Sequence, residues 1–410
     1  MIEFLEKAKE SSRALATLDG ATKNRVLREM ASTLRANSSL IIEANEIDLE
    51  FGKVNGLDSA LMDRLLLNEE RINGMAQALD DIAGLKEPVG RVLDGWINDI
   101  GLKIEKVSIP IGVIGIIYES RPNVTSDTAG LCFKSGNVAI LKGGKEAENS
   151  NKMIAKILQS VLERNSLPKE LVSLLPDSSR KGVEELIKQD RFVDLIIPRG
   201  GEGLIRFVTS NASVPVVKHD KGLCHTYIDK DADIEKAIEI AINAKTQRVG
   251  VCNSMETLLV DYSIADEVLP KLKERYDELG TELRGCGITR TMVDVNEATD
   301  EDFDTEYLAN ILSVKTVSGV YEAINHIGQF GSGHSEAIIT ENYTTAEKFL
   351  NEIDAAAVYL NASTRFTDGA VFGFGAEVGI STNKLHSRGP MGINDLTTYK
   401  YKVYGNGQIK

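Results

Sequence analysis

Apolar residues recur along this 410-residue chain with two different periods, and the period changes near residue 88. Upstream, Ile2, Leu5, Ala8, Ser12 and Leu15 follow the three-to-four spacing of one helix face, as do Val26, Leu27, Met30, Leu34 and Ile41. A third helical pattern runs over 69–82, and the charged residues between these stripes read as a solvated face. Pro88-Val89-Gly90 is a break. Residues 91–97 and 101–107 then alternate around a turn at 98–101, which predicts a β-hairpin holding the only tryptophan, Trp96. Lying between a helical region and an α/β region, this hairpin reads as an arm exchanged between subunits.

From 110 to 218 strands and helices alternate. Strands are expected at 112–118, 138–141, 171–175, 194–197 and 214–217. The first is a continuous apolar run of the kind buried on both faces. Helices are expected at 123–133, capped by Thr125 or Ser126, and at 146–165, 180–189 and 203–210. A second series has helices at 233–246, 264–279, 320–327 and 345–353, with strands at 257–260, 311–317, 337–340 and 357–360. A glycine-rich segment at 368–379 precedes a tail, 397–404, that alternates like a strand seeking an edge. The pattern predicts an α/β protein: two doubly wound domains with parallel sheets, plus a small β element from residues far apart in sequence.

Composition narrows the class. A net charge of -14 argues against a nucleic-acid partner, because an acidic protein gains little from displacing phosphate counterions. No apolar run approaches the roughly 20 residues of a membrane span. The first residues lack a basic stretch followed by an apolar core, so no signal peptide is read and a cytoplasmic location is expected. Cys132, Cys224, Cys252 and Cys286 are widely separated and form no CxxC, which fits reduced thiols. The five histidines show no metal-ligand spacing, so no metal is expected.

Four places carry candidate chemistry. Gly200-Gly201-Glu202-Gly203 follows a strand and opens a helix, where backbone N–H groups can face a pyrophosphate; the alternative is a tight turn without a ligand. The dinucleotide fingerprint GxGxxG is absent there and after Ile117. Lys142 and Lys145 flank two glycines at another strand end, where ligands of doubly wound sheets bind; they suit ribose hydroxyls or a phosphate, or form a basic turn. Asn123 follows a third strand and offers either an amide donor to a developing oxyanion or a helix cap. Cys252 lies between Val251 and Asn253 at a helix-to-strand joint, and is a nucleophile or a small buried hydrophobe.

Longer segments carry a resemblance. Tyr118-Glu119-Ser120-Arg121-Pro122-Asn123-Val124-Thr125, Ile197-Pro198-Arg199-Gly200-Gly201, Val251-Cys252-Asn253-Ser254-Met255-Glu256-Thr257 and Gly379-Ile380-Ser381-Thr382-Asn383-Lys384-Leu385-His386 occur in the order and spacing of one family. The chain resembles the glutamate-5-semialdehyde dehydrogenases, or γ-glutamyl phosphate reductases, of proline biosynthesis. They form part of the aldehyde dehydrogenase superfamily.

The resemblance implies an aldehyde-dehydrogenase-like fold of two Rossmann-like domains. A cofactor-binding domain would comprise 1–88 and 110–223, a catalytic domain 224–384, and an oligomerisation hairpin and tail 89–109 and 385–410. It implies NADPH-dependent reduction of L-glutamyl 5-phosphate through a thioester on Cys252. Asn123 and the Cys252 N–H would be oxyanion donors, with Lys142, Lys145, Gly200, Gly201 and Glu306 at the cofactor. Lys145 stands where NAD-dependent relatives often carry an acid, which favours a 2′-phosphate.

His219 stands where oxidising relatives carry a water-activating glutamate, as expected of an enzyme that must not hydrolyse its thioester. Arg121, Arg365, Ser363, Thr364 and His334 are candidates for holding the substrate, since guanidinium groups match its anions. A homo-oligomer, dimer or tetramer, is implied, with a glutamate kinase as a possible donor of the acyl phosphate. An oxidising aldehyde dehydrogenase is the rival enzyme, expected to carry a carboxylate at His219 and to use NAD. A non-catalytic relative would not need Cys252.

Overall fold

The computed structural model describes residues 1–218 and 221–410, so His219 lies outside the described residues. The chain divides into two compact units. One comprises Met1–Lys218, Gly373–Gly379 and Met391–Lys410; the other comprises His219–Phe372 and Ile380–Pro390.

The first unit opens with five helices, α1 (Ile2–Ala16), α2 (Gly20–Ala36), α3 (Ser38–Val54), α4 (Ser59–Leu65) and α5 (Glu69–Gly84). Their polar entries are capped where short side chains precede an apolar stripe. Asp19 accepts from the Thr22 N–H at 2.8 Å, and Asn68 accepts from the Arg71 N–H at 2.9 Å. The stripe Val26, Leu27, Met30 and Leu34 is fully inside, as its period required.

Strands β1 (Val92–Ile97) and β2 (Lys103–Pro110) form the hairpin, turned by Gly101 at φ +82. Next come β3 (Val113–Tyr118), α6 (Asn123–Lys134), β4 (Val138–Lys142), α7 (Glu148–Arg164), β5 (Val172–Leu174), α8 (Arg180–Leu186), β6 (Leu195–Arg199) and α9 (Glu202–Asn211). The four strands make a parallel sheet in the order β5-β4-β3-β6, with every residue of β3 buried. The order reverses beside β3, so the ends of β3, β4 and β6 gather at one rim.

In the second unit the elements are β7 (Cys224–Ile228), α10 (Ile234–Thr246), β8 (Met255–Asp261), α11 (Tyr262–Glu278), β9 (Glu282–Gly285), α12 (Thr289–Met292), β10 (Asn296–Glu297), α13 (Asp300–Phe303), β11 (Ile311–Val317), α14 (Val320–Phe330), β12 (Ser335–Ile339), α15 (Tyr343–Glu352) and β13 (Ala357–Leu360). Seven strands lie parallel in the order β10-β9-β11-β8-β7-β12-β13. A short ladder, β14 (Ile380–Ser381) with β15 (Gly389–Pro390), belongs to the same unit. The final strand, β16 (Thr397–Tyr404), returns to the first unit and finds the edge it lacked: it pairs antiparallel with β2 from Thr397↔Pro110 to Tyr404↔Lys103.

Two local expectations are corrected, and two strands are added. Residues 214–217 are not a strand; only an isolated bridge joins Ile196 to Val216, and Pro215 has no N–H to extend it. Neither Thr125 nor Ser126 caps α6, which starts at Asn123 after Pro122 and carries both residues inside it. Strands β7 and β9 were not anticipated. In β7 all five residues are buried, so its polar members follow no period.

Candidate active site

In the first unit three strand ends converge. Tyr118 pairs with Arg199 and Ile117 pairs with Lys142 across the sheet. Just past β3 the chain bends at Ser120, whose φ of +42 is uncommon for a residue with a side chain. Glu146 holds the bend: its Oε1 accepts the Ser120 N–H at 2.6 Å and the Ser120 hydroxyl at 2.8 Å. Glu119 Oε2 accepts the Gly201 N–H at 3.0 Å, at the entry of α9. Lys142 is half-buried at the same rim; burial lowers its pKa, while Glu146 and Glu119 oppose that shift. Lys145 is exposed and begins the single 3-10 turn that leads into α7.

Lys142, Lys145, Gly200 and Gly201 thus share one end of a parallel sheet. A Cβ at Gly201 or Gly203 would meet nothing within 4 Å, leaving open space before the α9 N-terminus. Cations, free backbone space and a helix entry suit a dinucleotide pyrophosphate.

Asn123 is the first residue of α6, half-buried, and makes no capping bond. Its amide instead donates to Asp127 Oδ2 at 3.0 Å, one turn along the helix. Burial pushes the Asp127 carboxyl up to about 6, while hydrogen bonds from Asn123 and Ser126 oppose that rise. Arg121 is exposed on the bend that precedes α6.

In the second unit Cys252 is half-buried in the short connection from α10 to β8. The connection is fastened on several sides. The Ser254 N–H closes a turn to Val251 O at 3.0 Å. The Asn253 amide donates to Thr367 O at 2.8 Å and Arg365 O at 3.3 Å, and the Thr364 hydroxyl donates to Asn253 O at 2.8 Å. The turn holding Ser363, Thr364 and Arg365 is therefore stitched to the residue next to the candidate nucleophile.

Within that turn the Thr364 hydroxyl is fully buried and already engaged, while Arg365 is half-buried and donates from Nε to Gln247 Oε1 at 3.0 Å. Burial lowers the Arg365 pKa, with the Arg248 cation adding to the effect. Ser363 is buried, with Oγ 3.3 Å from the Arg365 nitrogen.

Behind the connection lies a buried layer. The Cys224 thiol donates to Cys252 O at 3.2 Å and lies 3.7 Å from His334 Nδ1. His334 is fully buried, so it belongs to the support of Cys252 rather than to an open surface. Gly222 packs flat on the Cys252 backbone, where a Cβ would overlap both its Cα and its carbonyl.

A second support is the pair of Lys245 and Glu256. Glu256 also takes the Leu308 N–H on Oε1 at 3.2 Å, which ties the loop holding Glu306 to β8. Glu306 itself is half-buried, two residues before Leu308 with its φ of +51. Among the described residues no group of three His, Cys, Asp or Glu side chains is placed to hold a metal, and no helix is long and apolar enough to cross a membrane.

Sequence reasoning did not single out Asp127, Gly222, Cys224, Lys245 or Glu256 as functional. Two of them left a signal: Asp127 stands four residues after Asn123, and Glu256 interrupts an apolar strand.

The model of the aldehyde dehydrogenase family matches residues 1–284 and 280–401. The chain is 70% identical over 410 residues, all of both proteins, to the γ-glutamyl phosphate reductase of Sulfurimonas denitrificans. It superimposes with a TM-score of 0.98 on the crystal structure of γ-glutamyl phosphate reductase from Thermotoga maritima. That relative is 48% identical, and the match covers 100% of this chain and 99% of that one. A glyceraldehyde-3-phosphate dehydrogenase from Methanocaldococcus jannaschii, solved in complex with NADP, shares the fold at 17% identity, with a TM-score of 0.71 over 98% of this chain and 94% of that one.

Proposed function

Because the chain belongs to the aldehyde dehydrogenase family, and within it to the γ-glutamyl phosphate reductases, we propose that it reduces L-glutamyl 5-phosphate with NADPH, releasing glutamate 5-semialdehyde and phosphate. The observation that carries this reading is Cys252, half-buried in a connection pinned by Asn253, Thr364 and Gly222, in a chain 70% identical end to end to a reductase of that name.

The Cys252 thiolate attacks C5 of the acyl phosphate, a C–S bond forms, and the C–O bond to phosphate breaks with its electron pair leaving on phosphate. When bound, NADPH supplies a hydride to the thioester carbon. Collapse of the resulting thiohemiacetal on Cys252 breaks the C–S bond, yields the aldehyde and restores the thiolate. Dividing the reaction this way replaces one difficult step by easier ones. A free thiol with a pKa of about 8.5 is only partly ionised at neutral pH, so neighbouring donors and cations assist.

Acylation and hydride transfer both build negative charge on the same oxygen, which one pair of donors, the Asn123 amide and the Cys252 N–H, serves twice. Losing one such donor typically costs ~100–1000-fold. Lys142, Gly200 and Gly201 would hold the pyrophosphate and ribose side of the cofactor, Glu306 the nicotinamide ribose, and Lys145 the 2′-phosphate. Arg121, Arg365, Ser363, Thr364 and His334 would anchor the glutamyl group, with Thr364 and His334 acting through their neighbours. The first unit is the cofactor-binding domain and the second the catalytic one.

The three-stranded sheet β1-β2-β16 would join subunits of a homo-oligomer, supported by Trp96 and Tyr401 at 44% and 53% exposure on one sheet. A hydrolysable acyl phosphate also favours direct transfer from a glutamate kinase. The reaction needs Cys252 as a free thiol, which favours a reducing cytoplasm as the enzyme's location.

The test is the reverse reaction: glutamate semialdehyde, NADP⁺ and phosphate, following NADPH formation. Phosphate dependence, loss of turnover in Cys252→Ser, and a preference for NADP⁺ that Lys145→Glu abolishes are expected. Oxidation to the free acid without phosphate would overturn the reading.

A further inference from the structure

Asp127 is a costly residue where it stands. It lies in the second turn of α6, past any capping position, in a helix whose interior disfavours aspartate. It is partly buried, and among the described residues what acts on its carboxyl besides burial is the hydrogen bonds from Asn123 and Ser126, not a cation. Its contacts are both with its own helix: Asn123 Nδ2 at 3.0 Å on Oδ2 and Ser126 Oγ at 3.2 Å on Oδ1. Ser126 Oγ also lies 3.0 Å from Asn123 O, and its single proton serves one acceptor at a time. The Asn123 amide is therefore the constant partner of the carboxylate.

Residues four apart share a helix face, which brings these two side chains together without strain. An asparagine amide can lie in either of two orientations, NH₂ or C=O outward, that differ little in shape. An ionised carboxylate only accepts, so it permits one of them: Nδ2 must face Asp127. That nitrogen carries two hydrogens. One is used on Asp127 and the other stays beside it for a second acceptor, while the amide oxygen, which would repel an oxyanion, points elsewhere.

We propose that Asp127 is a positioning residue that fixes the orientation of the Asn123 amide, so that an N–H rather than the carbonyl oxygen is presented to the reacting carbonyl of the acyl phosphate. The inference rests on Asn123 being an oxyanion donor. With a carboxyl raised to about 6, Asp127 is mostly ionised at neutral pH and able to hold the amide. Asp127→Asn keeps the volume but offers both a donor and an acceptor, so the Asn123 amide is free to turn over.

The experiment is a double-mutant cycle on the full-length enzyme in the reverse reaction, comparing wild type, Asn123→Ala, Asp127→Asn and the double variant, with thermal unfolding of each. Asp127→Asn is expected to lower kcat by between about 10- and 100-fold, with KM for phosphate and NADP⁺ within about twofold. In the Asn123→Ala background it should change nothing further, because its effect passes through the amide. Asp127→Ser serves if Asp127→Asn fails to fold. A wild-type kcat for Asp127→Asn beside a crippled Asn123→Ala would overturn this inference alone, as would an Asp127 effect persisting in full without Asn123. A wild-type rate for Asn123→Ala would remove the oxyanion reading and this inference with it.

Discussion

Lys245 Nζ and Glu256 Oε2 meet at 2.6 Å with neither side chain reaching solvent, joining the last turn of α10 to the second residue of β8. Cys252 lies on the connection between them. Burial works against both charges, lowering the lysine pKa and raising the carboxyl to about 7, and their mutual attraction offsets part of that cost. The pair is a clamp across the base of the Cys252 connection, and through Leu308 it also fixes the loop of Glu306.

Removing one partner strands the other. Glu256→Gln leaves a buried ammonium without its counter-charge and is expected to destabilise the protein by about 3–5 kcal/mol. Denaturant unfolding measures this, and a loss below about 1 kcal/mol would contradict the clamp. Alkylation of Cys252 by iodoacetamide should change rate in the same variant, since the connection loses its base.

Gly222→Ala places a methyl group into the backbone of Cys252. The backbone has no rotamer with which to yield, so overpacking is expected to cost about 1–3 kcal/mol, with a fall in activity of about 100-fold or more as the sulfur shifts. Retained activity at wild-type stability would show that Gly222 tolerates a side chain.

Acid should weaken the second unit through His326. Its imidazole is buried among Phe303, Phe330 and His225, at ring-centroid distances of 5.2, 4.7 and 5.5 Å. Lys315 Nζ lies 3.3 Å from Nδ1, which as partner of an ammonium is the acceptor nitrogen of a neutral ring. Burial, then the neighbouring His225 and Lys315, lowers its pKa from 6.5 to about 3. A base with a depressed folded-state pKa contributes stability above its unfolded pKa and loses it as pH falls toward the folded one. Between pH 7 and 4 the loss should be on the order of 3 kcal/mol, and His326→Phe should flatten that slope. Equal slopes for both proteins would remove His326 as the cause.

The sheet β1-β2-β16 supplies the fourth expectation. Trp96 and Tyr401 meet edge to face at 6.1 Å, and both remain about half exposed. If this face joins subunits, Trp96→Lys should shift the mass measured by light scattering toward the monomer. An unchanged mass would place the subunit contact elsewhere.

How far the chain was legible depended on whether a segment had one wet face. The helix stripe at Val26, Leu27, Met30 and Leu34, the Asn98 hairpin and the apolar β3 all announced themselves, because their burial follows a period or a continuous run. Strand β7 did not. With Cys224, His225, Thr226, Tyr227 and Ile228 all inside, its polarity is met only in part by tertiary partners: Glu336 accepts the His225 N–H at 2.8 Å, while Thr226 Oγ1 and His225 Nε2 are buried without a hydrogen bond among the described residues. Residues 214–217 misled in the opposite way: β-branched residues signalled a strand that Pro215 cannot complete. At the site, Cys252, Asn123 and the glycine turn were visible as motifs. Asp127, Gly222 and Lys245 act on those residues through contacts that only the folded chain creates.

The pairing of β16 with β2 has a consequence for how the protein is made. The Asn137 amide donates at 2.7 Å to Leu396 O, 259 residues later, and the strand completing the β2 edge follows directly. On a ribosome adding about 5–20 residues per second, the first unit waits roughly 13–50 s for its last piece. Meanwhile the edge of β2 stands open to other nascent chains. A chain ending at residue 396 makes that interval permanent, and it should sediment with the insoluble fraction where the full chain stays in solution. An equally soluble truncated chain would show that the edge is protected by other means while it waits.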